Sequence, residues 1–168
     1  MISAEDPSFP FPGLFEHHLK VRGTVIGMLF SKILVSYDDS ELAKKALKKA
    51  ADLALLDEST ELDVLNVVTI PTNQFIVGDV YREVRESTLK YGHELVSRAE
   101  KLLDELPNAT HTFVKEGQPV RTILDFASEN GYDLIVIGSR GLSGVKEFLG
   151  SVSHGVVQRS KVPVLIIK

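Results

Sequence analysis

The first 30 residues carry no regular hydrophobic period. SFPFPGLF (Ser8 to Phe15) sets two prolines and a glycine among aromatics, a combination that breaks helix and strand alike. VIGMLF (Val25 to Phe30) is apolar but short. From Lys32 onward the pattern becomes clean. KILVSY (Lys32 to Tyr37) is an apolar run with polar borders, the signature of a strand covered on both faces. Leu42, Ala46, Ala50 and Leu53 then recur at helical spacing, with Ser40 placed to cap that helix. LDVLNVV (Leu62 to Val68) reads as a second strand. Ile70 to Val80 reads as a loop, followed by a long amphipathic helix. Its stripe is Val84, Thr88, Tyr91, Leu95, Ala99, Leu102 and Leu106, and Pro107 is its predicted stop.

THTFVKE (Thr110 to Glu116) is the third predicted strand. Gly117 turns the chain, and Pro119 suits the first turn of a helix because the amide hydrogen it lacks has no partner there anyway. Val120, Ile123, Leu124 and Ala127 form that helix's inner face, and Asn130-Gly131 ends it. DLIVIG (Asp133 to Gly138) is a fourth strand, residues 151–160 a last helix, and PVLIIK (Pro163 to Lys168) a fifth strand. Strands alternating with helices predict one parallel sheet with helices on both faces, an α/β doubly wound fold of Rossmann-like type. The predicted domain is 31–168, preceded by an N-terminal extension, 1–30. Met28 offers an alternative start for the chain.

Composition narrows the class. The 168 residues are 43% apolar and 25% charged, ordinary for a globular domain. A net charge of −4 gives no electrostatic case for nucleic acid or an anionic membrane as partner. The absence of cysteine excludes disulfides, thiolate metal sites and cysteine nucleophiles. There is no apolar stretch of membrane-spanning length and no signal-peptide pattern, so a cytoplasmic location is expected.

The chemistry concentrates in GSRGLSGVKEFLGS (Gly138 to Ser151), a loop longer than a strand-to-helix link requires. Gly138, Gly141 and Gly144 permit a backbone nest for an anion. Gly150 and Ser151 stand where the last helix opens, and its free amides and positive dipole end favour phosphate. Arg140 and the hydroxyls of Ser151 and Ser153 are further candidate donors. A plain flexible connection would also be glycine- and serine-rich. Asp38, leaving the first strand, suits either a ribose or base contact or a helix cap. Neither a P-loop nor the dinucleotide-binding glycine pattern occurs. No histidine and carboxylate spacing suggests a metal site, and no acyl-transfer motif is present. His93 and His111 read as surface residues, and His154 as an ordinary helix residue.

These segments together resemble the universal stress protein family. The likeness runs from Ser31 to Lys168 through KILVSYDDS, the V-x-x-G-x-P turn (Val114 to Pro119), DLIVIG with its glycine loop, and KVPVLIIK. The resemblance implies five parallel strands in the order 3-2-1-4-5 and a homodimer formed through the last strand, Val164 to Lys168. Its ATP-binding branch carries G-2x-G-9x-G-[ST], matched by Gly138, Gly141, Gly150 and Ser151. The implied site adds Ser139, Arg140, Val152 and Ser153 around the phosphates and ribose. It also places Asp38 in the adenosine pocket, with Val67 and Ile137 lining the adenine.

The implied cofactor is ATP, with Mg2+ or Mn2+ held mainly by the phosphates, in a stress-response module that acts through an unidentified protein partner. Two departures stand out. Eight residues, not nine, separate Gly141 from Gly150. Asp39 occupies a position where glycine is frequent, so a carboxylate that repels a triphosphate, unless a divalent cation intervenes, is expected there. The alternatives are a nucleotide-free dimeric scaffold, or slow ATP hydrolysis or autophosphorylation on Ser151 or Ser153. No general base is placed by spacing, so turnover ranks below binding.

Overall fold

A computed structural model of the chain describes residues 29–71, 78–141 and 149–168. The N-terminal extension up to Met28 and the loop position Gly144 lie outside these. Five strands alternate with four helices: β1 (Lys32–Ser36), α1 (Glu41–Ala54), β2 (Glu61–Val68), α2 (Gly78–Leu103), β3 (Thr110–Glu116), α3 (Pro119–Glu129), β4 (Leu134–Gly138), α4 (Ser151–Arg159) and β5 (Val164–Ile167). All strand pairs are parallel, in the order β3-β2-β1-β4-β5. The doubly wound sheet and its expected order are both present.

β1 lies at the centre, with Val35 beside Val64 of β2 and Val136 of β4. The two-residue alternation of strands splits the core in two. Ile33, Val35, Leu62, Val64, Leu134 and Val136 face α1 and α2. Leu34, Leu65, Ile135 and Ile137 face the other way, against Ile123 and Phe126 of α3 and Val156 of α4. Each such side chain, fully buried, contributes about 1.5–3 kcal/mol. A continuous apolar run is what two covered faces require.

The helix ends are set locally. The Ser40 hydroxyl accepts from the Ala43 amide at 3.1 Å, capping α1 as its sequence predicts. Gly131 takes φ +71° just past α3, the left-handed turn that glycine adopts most easily. α2 departs from its predicted stripe. Its buried residues are Gly92, Leu95, Val96, Ala99 and Leu103, while Tyr91 is 52% exposed. The reason is close approach: a Cβ on Gly92 would lie 2.8 Å from Val68 and 2.9 Å from Val114. The helix therefore rests on the sheet along Gly92 rather than along Tyr91. It also ends at Leu103, ahead of Pro107, and Leu106 packs on the core from the following turn.

Candidate functional site

In a doubly wound sheet the strand order reverses beside β1, and the loops leaving the carboxyl ends of β1 and β4 part to form a crevice. A cleft of about 470 Å³ opens there. Asp38 lines it from the turn after β1, Val67 from the end of β2, and Ile137 and Gly138 from the end of β4. Arg140, Gly141 and Gly150 line it from the two ends of the glycine loop, and Ser151, Val152 and Ser153 from the first turn of α4. The fold thus gathers the predicted residues from four separate segments. Ser139 is the exception: it is buried and does not line the cleft.

Ser139 has a structural part in the loop. Its amide donates to the Ile167 carbonyl at 2.7 Å, and its carbonyl accepts from the Gly150 amide at 2.8 Å. Gly150, whose spacing from Gly141 is one residue short of the family pattern, is therefore held against the end of β4. The Ser153 hydroxyl donates to the same Ser139 carbonyl at 2.7 Å, with the Gly150 carbonyl at 3.0 Å as its second acceptor. Ser153 is 2% exposed. Its one hydroxyl hydrogen is engaged in this closure, while the residue still lines the cleft.

α4 begins at Ser151 with Gly150 as its N-cap residue, and no side chain caps it. An uncapped N-terminus carries unsatisfied amides and the positive end of the helix dipole. Both face the crevice, since Gly150, Ser151 and Val152 line it.

The turn after β1 forms the opposite wall. The Asp38 carboxylate accepts from the Ser40 amide at 3.1 Å. Ser40 caps α1, so Asp38 is left with one carboxylate oxygen toward the loop. A Cβ at Gly141 would collide with that oxygen. Any side chain at position 141 would therefore have to displace the Asp38 carboxylate. Asn66 lines the same wall, and its amide nitrogen donates to the Tyr37 carbonyl at 2.7 Å, tying the end of β1 to β2. Among the described residues its own side-chain oxygen is buried without a partner.

Asp39 behaves differently from expectation. Its φ of +63° lies in the left-handed region, which explains why glycine suits this position. Its carboxylate turns out of the cleft, accepting from the Tyr37 hydroxyl at 2.9 Å and pairing with Arg98 of α2 at 3.1 Å. Lys44 of α1 stands 3.6 Å away. Burial works against its charge, but Tyr37, Lys44 and Arg98 outweigh it and hold the carboxyl below the usual range. Burial, with the Asp39 contact adding to it, pushes the Tyr37 phenol above its ordinary value. The Asp39 charge is thus paired with Arg98 and Lys44 outside the cleft lining, where the sequence suggests a carboxylate facing the phosphates.

A second polar cluster escaped the sequence reading. Asp63 of β2, 1% exposed, sits two residues into a strand whose other buried polar residue is Asn66. It accepts from the Tyr132 hydroxyl at 2.6 Å and from the His111 amide at 2.9 Å, and the His111 ring Nδ1 lies 2.9 Å away. His111 is exposed, as expected, and in addition contacts Asp63 through its amide and ring. The cluster lies at the amino ends of the strands, away from the cleft, and serves to join β2, β3 and the start of β4. Among the described residues no group of three or more histidine, aspartate or glutamate side chains could hold a metal ion, and no helix is long and apolar enough to cross a membrane.

The sheet order, the crevice at its switch point and the uncapped helix facing it define a doubly wound α/β domain with an open cleft where doubly wound folds hold their ligands. The profile of the Universal stress protein family matches residues 29–168. Universal stress protein YxiE of Bacillus subtilis is 39% identical over 149 residues, covering 83% of this chain and 100% of that one. The structure of universal stress protein UspA from Lactobacillus plantarum superimposes with a TM-score of 0.73 at 25% identity, covering 82% and 97% of the two chains. The universal stress protein from Archaeoglobus fulgidus, in complex with dAMP, gives 0.53 at 25% identity over 84% and 100%. The chain belongs to the universal stress protein family.

Proposed function

We propose that the cleft binds an adenine nucleotide, ATP with Mg2+ or Mn2+ carried mainly on its phosphates, and that the protein works as a dimeric regulatory module. The observation that carries this reading is the meeting of Asp38, Val67 and Ile137 with the uncapped α4 N-terminus in one crevice. The base and ribose would lie toward Val67 and Asp38, and the phosphates would meet the amides of Ser151 and Val152 and the Arg140 side chain. The dAMP held by the Archaeoglobus fulgidus relative supports a nucleotide of this kind. Ser153, engaged in closing the loop, is poorly placed as a phosphate acceptor, which leaves Ser151 as the acceptor that autophosphorylation would need. A cytoplasmic location fits a protein that reads an intracellular nucleotide.

Dimerisation rests on β5. It pairs with β4 along one edge and has no second strand beside it among the described residues, and Val164, Leu165, Ile166 and Ile167 are each only partly buried. An apolar strand edge of this kind is a template for a second copy.

Isothermal titration of ATP with Mg2+ into the wild type and Gly141→Arg tests the site. The reading predicts saturable binding that is lost in the variant, whose side chain must displace the Asp38 carboxylate. No heat in either protein would overturn it and leave a scaffold acting through its surfaces.

A further inference from the structure

We propose that Asp39, with Tyr37 and Arg98, is a positioning latch that fixes the Asp38 carboxylate in the cleft. The inference rests on the ligand-binding reading of that cleft, but the latch itself is a property of the free protein. Asp39 does not itself line the cleft, although Tyr37, whose hydroxyl it accepts from, does. It nevertheless holds a left-handed backbone, φ +63°, that a non-glycine residue adopts only when its surroundings enforce it. Those surroundings are visible. The Tyr37 hydroxyl at 2.9 Å grips one carboxylate oxygen and Arg98 at 3.1 Å the other, while Lys44 at 3.6 Å adds its charge.

The consequence falls on the neighbour. Asp38 sits between a residue anchored by Asn66, through the Tyr37 carbonyl, and a residue anchored to α2. With both flanking residues held, its carboxylate is confined between the Ser40 amide at 3.1 Å and the bare face of Gly141. Glycine at position 39 would supply the same turn without the anchors. Here the turn and its anchorage come from one side chain, and the anchor reaches α2, an element that contributes nothing else to the cleft wall. Asp39 and Arg98 act through Asp38 and touch no ligand.

Two measurements test this. The first needs no ligand: hydrogen exchange of the Ser40 amide, which donates to Asp38, in the wild type, Asp39→Gly and Arg98→Gln. Asp39→Asn, which keeps the turn and the Tyr37 contact, serves if either variant folds poorly. The latch predicts that Ser40 exchanges about fivefold faster in the variants, the low end of a coupling between linked sites, while the α1 amides beyond the first turn are unchanged. Equal Ser40 rates in all the proteins overturn the latch, whether or not nucleotide binds. The second is titration of ATP with Mg2+. Asp39→Gly is expected to weaken binding about fivefold in the wild-type background and to have no further effect beside Asp38→Ala. An equal loss in both backgrounds would mean that Asp39 supports the fold generally, and would overturn its action through Asp38. Faster Ser40 exchange in a protein that binds no ATP would reject the nucleotide and uphold the latch.

Discussion

Replacing Gly138 by alanine adds one methyl group where β4 meets the first turn of α1. That carbon would lie 3.0 Å from the Leu42 carbonyl carbon, 3.0 Å from the Leu42 Cβ and 3.2 Å from the Ala43 amide. These are mostly backbone atoms, and Ala43 is held by the Ser40 cap, so no side chain can swing aside. Overpacking of this kind costs about 1–3 kcal/mol. Alanine returns roughly 0.5–1 kcal/mol by restricting the unfolded chain. The packing term wins, leaving a loss of about 1–2 kcal/mol, or a Tm lowered by roughly 3–6 °C for a domain of this size. Gly150→Ala provides the contrast. Its nearest neighbours would be at 3.4, 3.5 and 3.7 Å, ordinary contacts, and its φ of −64° suits alanine. There a poorer N-cap and a stiffer unfolded chain oppose each other, and the net change stays within about 0.5 kcal/mol. Thermal and urea unfolding of the two variants beside the wild type reads both values. A Gly138→Ala protein as stable as the wild type, or a Gly150→Ala protein less stable than Gly138→Ala, would refute the reasoning. The contrast also separates glycines that the fold requires from one whose need is left to a ligand.

Tyr132→Phe removes the hydroxyl that donates to buried Asp63 at 2.6 Å, and the expected loss is about 1.5–3 kcal/mol by urea denaturation, with unchanged ATP affinity because the contact is far from the cleft. Burial works against the Asp133 charge, but the hydroxyl and amide of Ser31 and the amide of Lys32 outweigh it and hold the carboxyl below its usual value. A group depressed in this way stabilises the fold fully above its unfolded value near pH 4 and loses that contribution as pH falls through the lower folded value. Asp133→Asn should therefore be less stable than the wild type by about 1 kcal/mol at neutral pH, with the gap closing below about pH 4 in a series of melts. Leu165→Asp places a charge on the β5 edge. Light scattering at micromolar concentration should then show a dimer in the wild type and a monomer in the variant, and a monomeric wild type would reject the interface.

The strand and helix pattern was legible because each strand that is covered on both faces must be apolar throughout, as in Ile33 to Val35 and Leu134 to Ile137. The cleft residues were legible mainly through the family resemblance, because the glycine loop taken alone also suits a flexible link and Asp38 taken alone a helix cap. What could not be read depends on distance between segments. Asp39 looked like a charge beside a phosphate, and only the approach of Arg98, 59 positions along the chain, turns it outward. Ser153 looked like a free hydroxyl until the loop end came within reach of Ser139. Tyr91 matched the helical period, but Gly92 decided which side of α2 meets the sheet. Asp63 interrupted an apolar strand, and that interruption was the available signal that a buried partner such as Tyr132 had to exist.

The most direct test of the account is a crystal structure of the protein grown with ATP and Mg2+. The account predicts the phosphates against the amides of Ser151 and Val152, the base beside Val67, and the Asp38 carboxylate within hydrogen-bonding distance of the ribose. An empty cleft at saturating nucleotide, or a nucleotide bound elsewhere on the molecule, would contradict it.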